Sequence, residues 1–600
     1  MGEKLKKRSE VCVEDTWDLS AMVPSDAVWE QLFKETEARL KEYGRFAGKL
    51  SESGEKLLEL LMLDDEISGD LETLYVYAKQ SSDQDTGNQK YQELTERADA
   101  LNCRAAESSA FIVPEILSIS KERMEKFFSE APMLEKYGRL LEQILRKREH
   151  TLDAAAEALL AKSMEATQSP AQIFNMFNNA DITFEPAEDS QGNSVTVTHG
   201  RYIALLQSED RSLRRSAFHS MYQAYGSFKN TVASCFAANL KQALFYSEAR
   251  NYPSARAMYL FENEIPEQVY ENLLETVHRY LPLMHRYCAV RKRVLGLDEL
   301  HMYDAYVPLA KAPQQEIPFS RAKEMVLEGL APLGEDYLAL LRKGFSSRWI
   351  DAAENEGKRS GAYSWGTYKS HPYVLLNYNG TLDQVFTLAH EMGHALHSWH
   401  SNHSQPYVYA GYRIFVAEVA STCNEALLIR HLLAKAGSRE ETLYLLNHFM
   451  ESFRGTLFRQ TMFAEFEALA HERAKAREPL TADALCGIYR RLNEQYFGPD
   501  MTVDQEIGFE WERIPHFYTP FYVYQYATGF SAAVAISGRI LRGEPGALSG
   551  YFEFLKGGSS KPPIELLRLA GVDMSRPEPV AEALELFGEL LHQFETLLDQ

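Results

Sequence analysis

Apolar residues recur every three or four positions through most of this chain, the signature of helices with one buried face. Ahead of position 200 the pattern predicts helices over 25–50, 55–80, 86–112, 134–148 and 152–165. It resumes over 208–250, 266–296, 319–343, 412–436, 439–475 and 480–497, then from Tyr522 to Leu541 and from Val580 to Leu598. Two stretches break it. Ile182 to Glu185, a polar turn at Asp189–Asn193, and Ser194 to Thr198 read as a β-hairpin. Gly361 to Tyr368, then Tyr373 to Tyr378 after Pro372, read as strands ending in the turn pair Asn379-Gly380. A strand there has two readings: an edge that pairs with an extended peptide, or a small structural sheet.

The fold class that follows is mainly α, a large multi-helix body with small β elements near 182–198 and 361–378. No repeat of fixed period and no low-complexity linker divides it. The expected division is an N-terminal helical domain over 1–115, a helical segment with the hairpin over 116–200, and a domain over 201–600 that carries the candidate chemistry described below.

Charge narrows the function. The chain has 63 Lys and Arg against 85 Asp and Glu, a net charge of −22. A phosphate backbone repels such a surface, so a nucleic-acid partner is not expected. No run of eighteen apolar residues occurs, and no apolar segment follows the basic start, so neither a membrane span nor a signal peptide is expected. Met1-Gly2 does not open a myristoylation pattern, because Lys6 stands where Ser or Thr is needed. Six scattered cysteines without a CxxC pair read as reduced, mostly buried thiols in a cytoplasmic protein.

The chemistry-bearing motif is His390-Glu391-Met392-Gly393-His394. Thr381 and Gln384 have capping-box spacing, which starts a helix near Leu382. Leu382, Val385, Phe386, Ala389 and Leu396 give that helix an apolar face. His390 and His394 then lie one turn apart on one face, and both imidazoles can reach one ion at about 2.0–2.1 Å. Glu391 sits beside them, placed to act on water at the metal rather than to ligate. The plain alternative is two helix histidines beside a carboxylate. In a chain with 17 histidines, the three fixed positions would match by chance roughly 0.04 times.

Zinc on two histidines needs a third protein ligand. His400 is one candidate, but the metzincin pattern wants Gly where this chain has His397. His397 shares the face of His390 and His394, yet three ligands on one straight helix spread too far along its axis. His397, His400 and His403 are therefore read as surface or outer-layer residues. Glu418 is the stronger candidate, because it interrupts the apolar run Phe415, Val416, Ala417, Val419 and Ala420, where a carboxylate is expensive unless paired or metal-bound. Glu425, two turns on, can accept a hydrogen bond from a ligand histidine. For both, the plain alternative is a solvated helix carboxylate.

HEMGHALHS, with Glu418 in FVAEVASTCNE 24 residues after the second histidine, resembles the thimet-type family of zinc oligopeptidases. The run from Ile514 through His516 and Tyr522 to Gly529 resembles its oligoendopeptidase F branch, and the match is densest over about 350–545. The resemblance implies two helical lobes around a deep channel and endopeptidase action on short unfolded peptides. It implies one zinc on His390, His394 and Glu418, with Glu391 as general base. It gives His516 and Tyr522 the support of the reacting carbonyl, with Tyr518 and Tyr526 as lesser matches. A dipeptidyl carboxypeptidase sharing the metal motif, and an inactive peptide-binding protein on the same scaffold, are the alternatives. Nothing in the chain specifies an oligomeric state.

Overall fold

Helices account for nearly every element of the computed structural model, which describes residues 5–311 and 316–600. The Met1-Gly2 start therefore lies outside the described residues. The predicted helices are found with shifted ends: Gly54–Asp83, Gln89–Ser109, Arg211–Ala249, Glu267–Val294, Ala482–Phe497 and Glu578–Leu598 are examples. Several predicted helices are subdivided. The first ends as α-helix at Asp26–Arg39 and tightens into the 3-10 turn Leu40–Arg45. The 319–343 stretch splits into Phe319–Gly329 and Gly334–Ser346 around the turn Ala331–Leu333, where Pro332 lacks the N–H a continuous helix needs. The 439–475 stretch carries the π-helical turn Phe453–Phe458 between Arg439–Ser452 and Arg459–Lys475.

The chain divides into two units, each assembled from three separate stretches. The first unit comprises Met1–Glu149, Gln315–His431 and Ile536–Gly571. Its N-terminal helices close over Trp29, Leu57, Leu60, Leu74 and Leu101, all fully buried. The Trp29 indole N–H donates to the Leu74 carbonyl at 2.9 Å, so this fully buried ring leaves no polar group unpaired.

The same unit holds a three-stranded sheet. Tyr373–Tyr378 is its middle strand, parallel to Ile350–Ala353 on one side and antiparallel to Tyr363–Trp365 on the other. Tyr373 to Leu376 are completely buried. Edge addition of a peptide to Tyr373–Tyr378 is thus closed, because both its edges are already paired; the edge positions belong to Ile350–Ala353 and Tyr363–Trp365. Ile350–Ala353 escaped the sequence pattern because its first three residues, Asp351 included, are all buried and no alternation marks it.

The second unit comprises His150–Gln314, Leu432–Ala535 and Val572–Gln600. The 39-residue helix Arg211–Ala249 runs through it, and Phe236 on that helix packs against Phe466, Trp511 and Phe517. The hairpin near 182–198 is shorter than predicted: Ala187–Glu188 pairs with Ser194–Val195. Ile182 to Glu185 stay outside the ladder, and the Glu185 carbonyl instead accepts a hydrogen bond from the Ser220 hydroxyl at 2.5 Å.

All six cysteines are free thiols. Only Cys288 and Cys423 are buried, while Cys12 and Cys103 are exposed, so their burial is less than the sequence reading expected. No helix among the described residues is long and apolar enough to cross a membrane.

Candidate metal centre

The motif helix spans Leu382–Ser404 and begins where predicted, after Thr381. The predicted capping box does not form. The Thr381 hydroxyl is drawn instead to Asn379 Oδ1 at 2.8 Å, in a turn that Gly380 completes with φ 78°. The helix continues without a break past His397 and His400, so the sharp turn that would bring His400 back to an ion is not made.

The facing helix, Ile414–Lys435, brings Glu418 to the two histidines. His390 Nε2 stands 3.3 Å and His394 Nε2 stands 3.6 Å from Glu418 Oε2. One donor atom from each of the three lies within 4.8 Å of the others. Two donors each about 2.05 Å from a tetrahedral ion stand about 3.3 Å apart, so the spacing suits a single metal. The imidazole rings meet nearly edge to face, 4.8 Å between centroids at 82°, which turns both Nε2 atoms toward the carboxylate.

Two further interactions fix this geometry. Glu425 hydrogen-bonds His390 Nδ1, which leaves the Nε2 lone pair for an ion. The Asn424 amide donates to the Ala389 carbonyl at 3.0 Å, and Asn424 in turn accepts from the Tyr337 hydroxyl at 3.0 Å. This pins the two helices together one residue from the first histidine. Their closeness depends on Gly393: a Cβ there would lie 2.5 Å from Ser421 Cα and 2.9 Å from the Ala420 carbonyl oxygen. Sequence reasoning used Gly393 only as part of a motif; its packing role becomes visible only once the second helix is in place.

Three carboxyls and two imidazoles share this site. Glu391 is buried, and burial first, then the nearby Glu418 and Glu425 charges, push its carboxyl above the ordinary range against the pull of His390 and His394. Burial acts against ionised Glu418 too, but hydrogen bonds from His390 and His394 outweigh it and hold that carboxyl far below its usual range. A site this rich in carboxylates, with two imidazole nitrogens beside them, has the donor chemistry of a divalent cation site.

The remaining histidines of the motif helix stay out of the triad. His397 is not a surface residue. It is fully buried, its ring stacked on Tyr412 at 3.8 Å and 6°, and burial pushes its pKa down to about 3. His400 is partly buried beside Phe552, at 5.4 Å between rings. Only His403 is exposed, stacked on Trp399.

His516 and Tyr522 belong to the second unit, whereas the metal triad belongs to the first. The two rings lie parallel, 5.7 Å apart at 9°. Tyr526 joins them, its ring 5.5 Å from that of Tyr522 and its hydroxyl donating to the Tyr522 hydroxyl at 3.4 Å. Tyr518 does not join: it stacks on Phe174 at 4.3 Å, with its hydroxyl buried. Partial desolvation, then the Arg459 guanidinium, lowers the pKa of His516, which keeps its imidazole neutral near pH 7.

The model for peptidase family M3 matches residues 204–586, and that for oligopeptidase F matches 115–184. Over 597 residues the chain is 47% identical to oligopeptidase PepF of Bacillus subtilis (strain 168), covering 100% of this chain and 89% of that one. It is 40% identical over 598 residues to the chromosomal oligoendopeptidase F of Lactococcus lactis subsp. cremoris, covering 99% of each. The crystal structure of oligoendopeptidase-F from Enterococcus faecium aligns with a TM-score of 0.76 at 38% identity, covering 96% of this chain and 99% of that one. A crystal structure from Chlamydophila abortus aligns at 0.91 and 35% identity, covering 99% and 100%.

Proposed function

The chain belongs to peptidase family M3, and from that premise we propose that it is a zinc-dependent endopeptidase cutting internal bonds of short unfolded peptides. The names of its relatives, oligopeptidase and oligoendopeptidase, support oligopeptides as the substrate class. The observation that carries the metal chemistry is the convergence of His390, His394 and Glu418 donor atoms within 4.8 Å, with Glu391 beside them. The free thiols fit a reducing compartment, and we place the protein in the cytoplasm.

In this reading His390, His394 and Glu418 would hold one zinc ion, which when bound would supply Lewis acidity toward the scissile carbonyl and water. Glu391 accepts the proton of the attacking water at its carboxylate and returns it to the leaving amine nitrogen. A raised pKa suits both halves of that task, because the proton must be taken and then released. Glu425 keeps the His390 tautomer fixed through Nδ1. By the match to the family motif, His516 and Tyr522 donate hydrogen bonds to the developing oxyanion, worth roughly 2.7–4 kcal/mol per well-placed donor.

Cleavage mapping by mass spectrometry tests the reading. A peptide mixture with blocked C-termini should be cut at internal bonds, and a chelator should abolish the cuts. Strict release of C-terminal dipeptides from unblocked peptides only would establish the carboxypeptidase alternative, and absence of any cutting by the metal-loaded protein would leave a binding protein.

A further inference from the structure

Beyond the triad, the second unit contains a buried carboxylic acid that the mechanism above does not use. Glu467 lies on the helix Arg459–Lys475 and is 1% exposed. One carboxyl oxygen, Oε1, accepts the backbone N–H of Phe521 at 2.6 Å. The other, Oε2, has no hydrogen-bond partner among the described residues. Burying such a group is costly, so its persistence asks for a local return.

Phe521 is an unusual receiver. Its φ is 55°, in the left-handed region that a bulky residue avoids. Its side chain is sandwiched among His471 at 4.6 Å, Tyr270 at 5.8 Å and Tyr259 at 6.2 Å between rings. The residue after it is Tyr522. Reversing the backbone at 521 is what sends the next side chain away from that aromatic cage and alongside His516. The rest of the segment is tied down from the same buried side: Asn239 donates to the Phe517 carbonyl at 3.3 Å, and Tyr518 stacks on Phe174. Phe517 and Phe521 are buried, whereas His516 is exposed and Tyr522 half-buried.

We propose that Glu467 is a positioning residue for Tyr522: by accepting the Phe521 N–H it holds the left-handed turn that aims the Tyr522 hydroxyl. This rests on the reading of Tyr522 as a donor to the reacting carbonyl. The required property is an acceptor oxygen of this size at this place, not a charge. Burial favours the neutral acid and pushes its pKa up to about 8, so a neutral carbonyl oxygen is what the N–H meets near pH 7. Tyr259, Tyr270 and Tyr524 are close enough to feel its charge, and His471 lies one turn on along the same helix.

Steady-state kinetics of the zinc-loaded full chain on one blocked peptide, with Glu467→Gln, Glu467→Leu, Tyr522→Phe and the Glu467→Leu/Tyr522→Phe pair, tests this. Ala464→Gly serves as a control that weakens the same helix and leaves the acceptor in place. Glu467→Gln keeps an acceptor oxygen and should keep kcat within about twofold, whereas Glu467→Leu should lower kcat at least about tenfold with KM little changed. On the Tyr522→Phe background Glu467→Leu should add little, because both changes remove the same interaction. Wild-type kcat in Glu467→Leu, equal losses in the Gln and Leu variants, or a loss matched by Ala464→Gly at equal melting temperature would overturn the positioning role. Wild-type turnover in Tyr522→Phe would instead overturn the reading of Tyr522 itself.

Discussion

Gly393 and Ser421 touch backbone to backbone: any Cβ at position 393 would fall 2.5 Å from Ser421 Cα. Real Cβ atoms do not approach so closely, so the helix with the histidines and the helix with Glu418 must separate if that glycine gains a side chain. Gly393→Ala is therefore expected to cost about 1–3 kcal/mol through overpacking. The same displacement carries Glu418 away from His390 and His394, so bound metal should fall with it. Thermal unfolding and elemental analysis of the purified variant check both; full metal occupancy at unchanged melting temperature would show that the helices tolerate the separation.

Glu391 lies beside the triad but outside it, since the convergent donors come from His390, His394 and Glu418. Glu391→Gln should leave metal content near wild type while peptide hydrolysis falls by at least about a hundredfold, the scale of a lost general base. His394→Ala should lose the metal itself. Measuring zinc and turnover on the same preparations separates the two roles, and a Gln variant that still turns over would remove Glu391 from the mechanism.

The convergence of His390, His394 and Glu418 was the most legible part of the chain because its signals are local. Two histidines four apart state their own geometry on a helix, and a glutamate inside Phe415–Ala420 is conspicuous against apolar neighbours. Glu425 was readable as a phase two turns beyond Glu418. What the sequence could not carry was the outcome of competition among neighbours, near or far in the chain. Thr381 and Gln384 have the spacing of a capping box, yet Asn379 competes for the threonine hydroxyl and wins. His397 reads as polar, but stacking on Tyr412 makes it part of the core. Tyr373–Tyr378 reads as a strand, but its central place depends on Ile350–Ala353, whose burial on both faces erases the alternation that marks strands. The segment around Tyr522 was legible as an aromatic run, while the support from Glu467 was not, since it reaches a backbone N–H that no motif records.

Glu425 hydrogen-bonds His390, a proposed ligand, and is not itself one of the three convergent donors. Replacing it with Ala removes the acceptor for Nδ1, frees the ring to rotate and lowers its basicity. Loss of such an outer partner typically weakens metal binding by 10–100-fold. Competition against a chelator of known affinity should show that shift for Glu425→Ala and a smaller one for Glu425→Gln, which still offers an oxygen. An unchanged metal affinity in both variants would mean that the ring is held by its packing alone.

His471 makes a prediction about stability with a definite sign. Burial pushes its pKa down to about 3, and its Nε2 has no partner among the described residues. An unfolded histidine titrates near 6.5, so between pH 6.5 and 3 the unfolded chain binds a proton that the folded chain refuses. Folded stability from this group is therefore complete above pH 6.5 and drains away as pH falls. At pH 5 the deficit relative to pH 7.5 is about 2 kcal/mol. Glu467, with its pKa pushed up to about 8, works in the opposite sense and loses stability as pH rises from about 4.5 toward 8, so wild type alone shows only the balance. Comparing it with His471→Leu isolates the histidine. The variant should be nearly as stable at pH 7.5, because the lost ring contact with Phe521 is offset by removing a buried nitrogen without a partner. At pH 5 it should be the more stable of the two in urea. A variant whose stability falls with pH as steeply as wild type would show that the imidazole takes up its proton without leaving the fold.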